Sequence, residues 1–161
     1  MLPPLQSATP TASDAPHASP MASDPTAGIG INAPTPAGAT AFAKFYFGQI
    51  ERAFVTGDPG ELRRLSLPTC KTCGLYIASV DRLRTEKEVL KGHFTFTFVA
   101  AATANFPKSV ARVDVTFDTP AVKRFSASGN LILDQKALRN LNETVVLQRV
   151  SGAWIVREIE S

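Results

Sequence analysis

Alternation of apolar and polar residues is clearest at the C-terminal end of the chain. Residues 144–150 and 153–160 are two runs rich in β-branched and aromatic side chains, and Ser151-Gly152 separates them. A two-residue connector whose glycine tolerates positive φ predicts a tight β-hairpin. In the second run Trp154 alternates with residues of the opposite face, and both faces carry apolar side chains. These faces need a cover, which helices earlier in the chain can provide.

Helical spacing of apolar residues precedes the strand patterns. Residues 38–54 place an aromatic stripe on one face of a first helix. Thr56-Gly57 predicts its end, because glycine readily adopts the left-handed conformation after a last helical turn. Asp58-Pro59 predicts the cap and the first position of a short second helix. A third helical pattern runs from the segment around Cys70 to about Thr85.

Period-two patterns begin near residue 94. In the first such run, Phe94, Phe96 and Phe98 alternate with threonines, which predicts a strand. A second alternating run covers 112–117. A third strand is predicted over about 124–133, with Gly129 as a bulge or bend. Helices followed by strands predict an α+β fold, with three N-terminal helices packed on a curved antiparallel sheet of four to five strands.

The first 37 residues differ in composition from the rest. They hold eight of the twelve prolines, no Lys and no Arg, and show no apolar periodicity. Such a segment cannot bury enough apolar surface to offset the entropy of ordering it. We therefore predict a disordered linker over 1–37, whose removal changes stability little, and one domain over 38–161. The domain has seventeen basic and twelve acidic residues, a net charge of +5 without long like-charge runs, which argues against a nucleic-acid surface.

The same tail bears on localisation. No stretch is apolar over the roughly eighteen residues that a membrane-spanning helix needs. A Pro-, Ser-, Thr- and Ala-rich segment before a compact domain is typical of secreted or lipid-anchored proteins, where it separates the anchor from the fold. We therefore expect an extracytoplasmic, cell-surface or membrane-anchored protein, tethered through an N-terminal lipid anchor that is not in this chain. The alternative is a cytoplasmic protein with an unstructured start.

Cys70 and Cys73 are the most specific chemical feature of the sequence. Three residues apart at the start of a helix, they share one face and lie within disulfide reach. A structural disulfide in an exported domain fits a total of two cysteines. A redox-active pair is an alternative, because a helix N-terminus lowers the pKa of the first thiol. A zinc site needs about four ligands, and the chain offers besides these two cysteines only His93 and His17.

These features together resemble the NTF2-like (SnoaL-like, cystatin-like) superfamily of cone-shaped domains. The resemblance rests on the aromatic first helix ending at Thr56-Gly57-Asp58 and on the hairpin of residues 150–156, and it covers about residues 38–160. More narrowly, residues 42–46 and the cysteine pair are similar to a family of uncharacterised actinobacterial lipoproteins. The resemblance implies a cone of helices over a sheet. It does not imply one function, since this fold hosts isomerases, cyclases, hydrolases and binding modules.

The cone implies a cavity between the first helix and the sheet. The aromatic residues on the patterned faces of those elements are the candidates for its lining: Phe42, Tyr46, Phe94, Phe96 and Phe98. Core packing explains the same alternation, so a filled cone is the alternative. Enzymes of the superfamily hold acid/base residues at the mouth of the cone, and the candidates for that role here are His93, Asp81 and Asp114.

No family catalytic motif matches residue by residue, so we expect a binding protein without catalytic residues, cofactor or metal. Its expected partner is a small hydrophobic ligand or a cell-envelope protein, and a homodimer through the sheet is a further expectation. One alternative is an isomerase- or cyclase-type enzyme that uses the cone pocket. Another is a structural adaptor of an envelope complex. A pocket with paired, buried acid/base groups favours the enzyme, and an apolar pocket favours binding.

Overall fold

A computed structural model describes residues 30–92, 95–104 and 109–161. These residues form three helices followed by seven strands. The helices are α1 (Pro36–Thr56), α2 (Gly60–Leu65) and α3 (Lys71–Thr85). The strands are β1 (Val89–Lys91), β2 (Thr97–Ala104), β3 (Val110–Thr119), β4 (Val122–Phe125), β5 (Leu131–Gln135), β6 (Leu138–Val150) and β7 (Ala153–Glu160). The predicted α+β class is confirmed.

The strands form two antiparallel sheets instead of the single sheet that was predicted. The larger has the order β2-β3-β6-β7, and the smaller has the order β1-β4-β5. The count of four to five strands was wrong because the predicted third strand is itself a hairpin, β4–β5. Its turn is closed by hydrogen bonds between Ser126 and Asn130, with Gly129 at φ +85°. Strand β1 has only three residues, too few for a periodic pattern to reveal it.

Helix α1 has the two ends that its sequence specifies. The Thr35 hydroxyl accepts a hydrogen bond from the Gly38 N–H at 3.1 Å, and Pro36 occupies the first turn, where its missing N–H costs nothing. At the other end Gly57 has φ +71° and its N–H donates to the Ala53 carbonyl, which confirms the predicted stop. Helix α2 begins one residue later than predicted, since the Asp58 carboxylate accepts from the Gly60 N–H.

Residues just before α1 contact the C-terminal hairpin. The indole Nε1–H of Trp154 donates to the Ala33 carbonyl at 3.0 Å, and the Trp154 backbone N–H donates to Asn32 Oδ1 at 3.3 Å. Arg149 stacks over the Trp154 ring and donates from Nη1 to the Asn32 carbonyl at 2.6 Å. We call this set of contacts the hairpin clasp. Asn32 and Ala33, which lie within the segment predicted as a linker, therefore contact the C-terminal hairpin.

The core lies between α1 and the inner face of the four-stranded sheet. Phe47 is its centre, with ring centroids of Phe96 at 4.7 Å and of Phe117 at 5.3 Å. Its other fully buried large side chains include Phe42, Tyr46, Ile50, Val113, Val115, Val145, Leu147 and Trp154. Each such side chain stabilises the fold by roughly 1.5–3 kcal/mol relative to exposure. The aromatic stripe of α1 is thus mainly a packing surface.

Candidate functional site

A pocket of about 430 Å³ lies beside this core, between α3, the three-stranded sheet and residues of β3 and β6. Its walls come from α1, α3, the three-stranded sheet, and strands β3 and β6 of the four-stranded sheet. The lining residues are Phe54, Thr72, Leu75, Tyr76, Ser79, Leu90, Phe96, Phe117, Thr119, Val122, Arg124, Leu133, Gln135, Leu138, Leu141 and Glu143. Most of these side chains are apolar, and the size suits a small organic molecule.

Strand register explains which side chains of the small sheet face the pocket. Leu90 pairs with Arg124, and Arg124 pairs with Leu133, so these three residues lie side by side across the sheet. Paired residues of antiparallel strands point to the same face, and all three line the pocket. Leu133 is 39% exposed and Leu138 is 40% exposed, so the pocket opens to solvent between them.

Besides Nε of Arg124, which is ion-paired with Glu88, two buried polar atoms of the lining have no hydrogen-bond partner among the described residues. They are Oε2 of Glu143 and Oγ1 of Thr119. Leaving a buried polar atom unsatisfied costs about 1–3 kcal/mol, so such atoms mark places where a ligand can contribute a bond. Desolvation by burial raises the pKa of the Glu143 carboxyl above its usual range. This carboxyl therefore holds a proton at higher pH than an exposed glutamate does.

Tyr76 on α3 lies close enough to Glu143 to sense its charge. Burial raises the pKa of the Tyr76 hydroxyl, and the negative charge of Glu143 raises it further, with a smaller contribution from Tyr46. Burial also raises the pKa of Tyr46 to about 12, only partly opposed by the Ser66 hydroxyl. Both phenols are therefore neutral near pH 7, and each can donate a hydrogen bond.

The basic group of the pocket wall is already neutralised. Nε of Arg124 lies 3.2 Å from Oε2 of Glu88, and the two side chains are 14% and 2% exposed. Removing one partner of such a buried ion pair is costly because it leaves an uncompensated charge. Arg124 therefore closes the wall together with Glu88, and the pocket interior is not a strong anion site.

Comparison with known proteins identifies the family. Residues 12–160 match a family of unknown function, DUF6318. The chain belongs to this family. No curated protein sequence matches it. The DUF6318 match begins inside the segment predicted as a linker and extends through the last strand.

Solved structures with low sequence identity share features of the DUF6318 fold. The intermembrane space region of the chloroplast protein ARC6 has a TM-score of 0.52 at 11% identity, covering 78% of this chain and 95% of that one. An uncharacterised cystatin-like-fold protein from Caulobacter vibrioides has a TM-score of 0.43 at 12% identity, with 75% and 84% covered. A scytalone dehydratase homologue from Novosphingobium aromaticivorans has a TM-score of 0.43 at 10% identity, with 73% and 78% covered. At these identities the likeness concerns the fold alone.

The five aromatic residues proposed for the pocket have different locations in this DUF6318 chain. Phe96 lines the pocket, whereas Phe42 and Tyr46 are fully buried in the core beside it. Phe98 packs edge-on against Phe47, with ring centroids 5.5 Å apart. Phe94 lies outside the described residues. The pocket is displaced toward α3, so the first helix contributes only Phe54 to its wall.

The described acid/base candidates lie away from the pocket. Asp81 forms surface ion pairs with Arg63 and Arg84. Asp114 is exposed and accepts a hydrogen bond from the Thr144 hydroxyl at 2.6 Å. His93 lies outside the described residues. In the part of the chain that the structure describes, no three His, Cys, Asp or Glu side chains are arranged to hold one metal ion.

Glu143 and Tyr76 are pocket groups that were not selected from the sequence. Glu143 occupies an inward-facing position of β6, in series with Leu141, Val145 and Leu147. A charged residue within such an apolar series is the signal that could have identified it. Tyr76 gave no comparable signal, because tyrosine on the apolar face of a helix is ordinary core composition.

Cys70 and Cys73 are joined in a disulfide at the start of α3. Their exposed fractions are 2% and 1%, so an incoming thiol has little access to either sulfur. Cys70 also caps the helix, since its Sγ accepts a hydrogen bond from the Cys73 N–H at 3.2 Å. Burial and capping favour the structural interpretation of the pair over the redox one.

None of the described helices is both long enough and apolar enough to span a membrane.

Proposed function

We propose that this protein binds a small, predominantly apolar molecule in the pocket between α3 and the three-stranded sheet. The observation that carries the proposal is an open cavity of about 430 Å³ with mainly apolar walls and two buried, unpartnered polar atoms. Apolar walls provide affinity through burial of ligand surface, and a few polar groups fix its orientation. Glu143 and Thr119 are those polar groups.

The charges of the pocket restrict the ligand further. Arg124 is paired with Glu88 and does not need an anionic partner. The Glu143 carboxyl donates a hydrogen bond when protonated and accepts one when ionised, and the Thr119 hydroxyl both donates and accepts. The ligand that fits is therefore an uncharged molecule whose apolar body carries one or two hydroxyl or carbonyl oxygens. A strongly anionic ligand pays the desolvation cost of its charge without gaining a free cation.

Filling the pocket tests the proposal. Ser79 lines the cavity on α3, whereas Ala78 is exposed on the same helix. Ser79→Trp places an indole in the cavity, and we expect it to reduce binding of an environment-sensitive apolar fluorophore at least about tenfold. Ala78→Trp adds the same side chain on the outside and should leave binding unchanged. Equal fluorophore binding by both variants would place the apolar site elsewhere and contradict the proposal.

A second candidate function is proton transfer. It is favoured by one observation, a buried carboxyl of raised pKa next to a buried phenol, Glu143 and Tyr76. Such a pair can remove a proton beside a carbonyl and return it to the same molecule. The test is deuterium incorporation from heavy water into a panel of apolar ketones, which Glu143→Gln should abolish. A third alternative, an adaptor of an envelope complex, predicts that pocket variants have no effect on any ligand.

For localisation we propose an exported protein that is tethered to a membrane by an N-terminal lipid anchor. The buried disulfide supports this proposal, because disulfides persist in oxidising compartments. Intact-mass measurement after alkylation of native material is the test. We expect no modified cysteine without prior reduction. Two alkylated thiols would instead support a cytoplasmic location.

A further inference from the structure

Most exposed apolar side chains of the described surface lie at the mouth of the pocket or on the small sheet that forms one of its walls. Among residues 30–92, 95–104 and 109–161, eight large apolar residues are at least 39% exposed, and of these Val55 and Val150 lie elsewhere. We call the other six the apolar collar: Leu75, Val89, Leu131, Ile132, Leu133 and Leu138. Contiguous exposed apolar surface of this kind marks an interaction site.

The collar is continuous with the pocket. Leu75, Leu133 and Leu138 belong both to the collar and to the pocket lining. From Leu133 the collar continues along β5, an edge strand of the small sheet, and around to its outer face. There Val89 and Leu131 both pair with Phe125, so they lie in one row. The collar therefore begins inside the pocket and ends on the outside of the sheet.

Basic residues surround the collar. Residues 86–91 and 122–139, which contain the small sheet and its connections, hold six basic and three acidic side chains. Lys123, Arg124 and Arg139 form ion pairs with Asp134, Glu88 and Asp118. The positive charge of the rim therefore comes from the exposed Lys87, Lys91 and Lys136. Lys136 is exposed in the two-residue connection between β5 and β6, close to Leu133 and Leu138 in sequence. Lys91 lies over the Phe125 ring, 4.9 Å from its centroid. An apolar patch with a positively charged rim complements an anionic lipid surface.

We propose that the apolar collar docks on an anionic lipid bilayer and that the pocket takes its ligand from that bilayer. The inference rests on the proposed function and identifies the source of the ligand. An apolar molecule that fits the pocket concentrates in lipid, and the mouth of the pocket opens within the docking surface. The collar leucines reach the boundary between headgroups and acyl chains, while the lysine side chains extend to the headgroups.

Vesicle co-sedimentation of the full chain tests the docking surface. We expect binding to vesicles of phosphatidylglycerol and phosphatidylcholine, and weak binding to phosphatidylcholine alone. Leu131→Ser/Ile132→Ser should reduce binding to the anionic vesicles at least about fivefold. Its matched control is Val55→Ser/Val150→Ser, which removes equally exposed apolar side chains outside the collar and should bind as the unmodified chain does.

The charge contribution is tested separately. Lys91→Gln/Lys136→Gln should weaken binding and its salt dependence, whereas Lys44→Gln/Lys71→Gln removes the same charge elsewhere and should change both less. Absence of vesicle binding, or equal losses in collar and control variants, would overturn the proposal.

Sedimentation velocity tests whether a second copy of the chain, instead of a bilayer, binds the collar. A dimer that Leu131→Ser/Ile132→Ser dissociates would show that a second copy pairs with β5, and would also overturn lipid docking.

Failure of this inference and failure of the proposed function give different results. Ser79→Trp should abolish fluorophore binding and leave vesicle binding intact, since the indole fills the cavity without altering the collar. Fluorophore binding without vesicle binding would retain the ligand pocket and reject the bilayer as its source. Vesicle binding without any pocket-dependent fluorophore signal would reject the proposed function alone.

Discussion

The carboxyl group of Glu143 is the residue-scale feature that separates this pocket from an ordinary gap in the core. The nearest residues on the same face of β6, Leu141 and Val145, are apolar, and its Oε2 has no hydrogen-bond partner among the described residues. Replacing it with an apolar residue of similar size would remove a desolvation cost. The presence of such a costly group in a ligand-sized cavity is the reason that we assign the cavity a function.

Glu143→Gln should change how stability depends on pH. Because burial raises the pKa of Glu143 above its ordinary 4.5, the native state binds a proton more tightly than the unfolded state. The unmodified chain therefore loses stability as pH rises from about 4.5 through the raised pKa, and the loss is complete above it. Glutamine does not titrate. The melting temperature of the variant, relative to that of the unmodified chain, should therefore rise as the pH increases over this range.

The control for this experiment is Glu158→Gln, which removes a carboxylate from an exposed position of β7. Subtracting its pH profile corrects for the change in net charge. Parallel profiles for the two variants would contradict the assignment of a buried carboxyl with a raised pKa in the pocket.

At the scale of elements, α3 connects the disulfide to the pocket. Its first turn is fixed by Cys70, Cys73 and the Thr72 hydroxyl, which donates to the Ile159 carbonyl of β7 at 3.0 Å. The following turns supply Leu75, Tyr76 and Ser79 to the pocket wall. The disulfide thus holds the helix that carries one side of the site.

Removing the disulfide should weaken the fold without abolishing it. The ring is short, so loop-closure entropy contributes roughly 2 kcal/mol at most. Cys70→Ser/Cys73→Ala retains an oxygen at the helix cap, whereas Cys70→Ala/Cys73→Ala does not. Chemical denaturation should therefore show an additional loss of about 1 kcal/mol in the second variant. Identical stabilities would show that Cys70 does not act as a cap.

At the scale of the whole molecule, the hairpin clasp joins the two ends of the domain. Asn32 and Ala33 precede the first helix, and Trp154 and Arg149 belong to the last hairpin. Their hydrogen bonds close the fold between segments more than a hundred residues apart in the chain. Contacts of this kind contribute little to early folding and much to the stability of the finished domain.

Two truncations test the clasp. Deleting residues 1–36 removes three hydrogen bonds to the hairpin and the Thr35 cap, so we expect a loss of about 2–4 kcal/mol in the free energy of unfolding. Deleting residues 1–29 leaves all of these contacts in place and should change stability by only a few tenths of a kcal/mol. If the longer deletion were as stable as the shorter one, the clasp would contribute nothing measurable.

Several features of the fold follow from local patterns in the sequence. Gly57 ends α1 because a left-handed residue is needed there, and Ser151-Gly152 turns the last hairpin because its twist requires positive φ. The spacing of Cys70 and Cys73 brought their sulfurs within reach at a helix start. Helix order and strand alternation were sufficient to predict the α+β class.

The location of the pocket and the groups that line it depend on contacts between elements that are far apart in the chain. Phe42 and Tyr46 have the pattern of pocket residues, but the sheet packs directly against them and α3 leaves the open space further along. The proposed role of Glu143 depends on Thr119 and Tyr76, which line the same cavity from other elements. The division of the strands into two sheets is likewise non-local, since it depends on β1 pairing with β4 across more than thirty residues. Periodicity reports which face of an element is apolar, whereas the structure decides what that face meets.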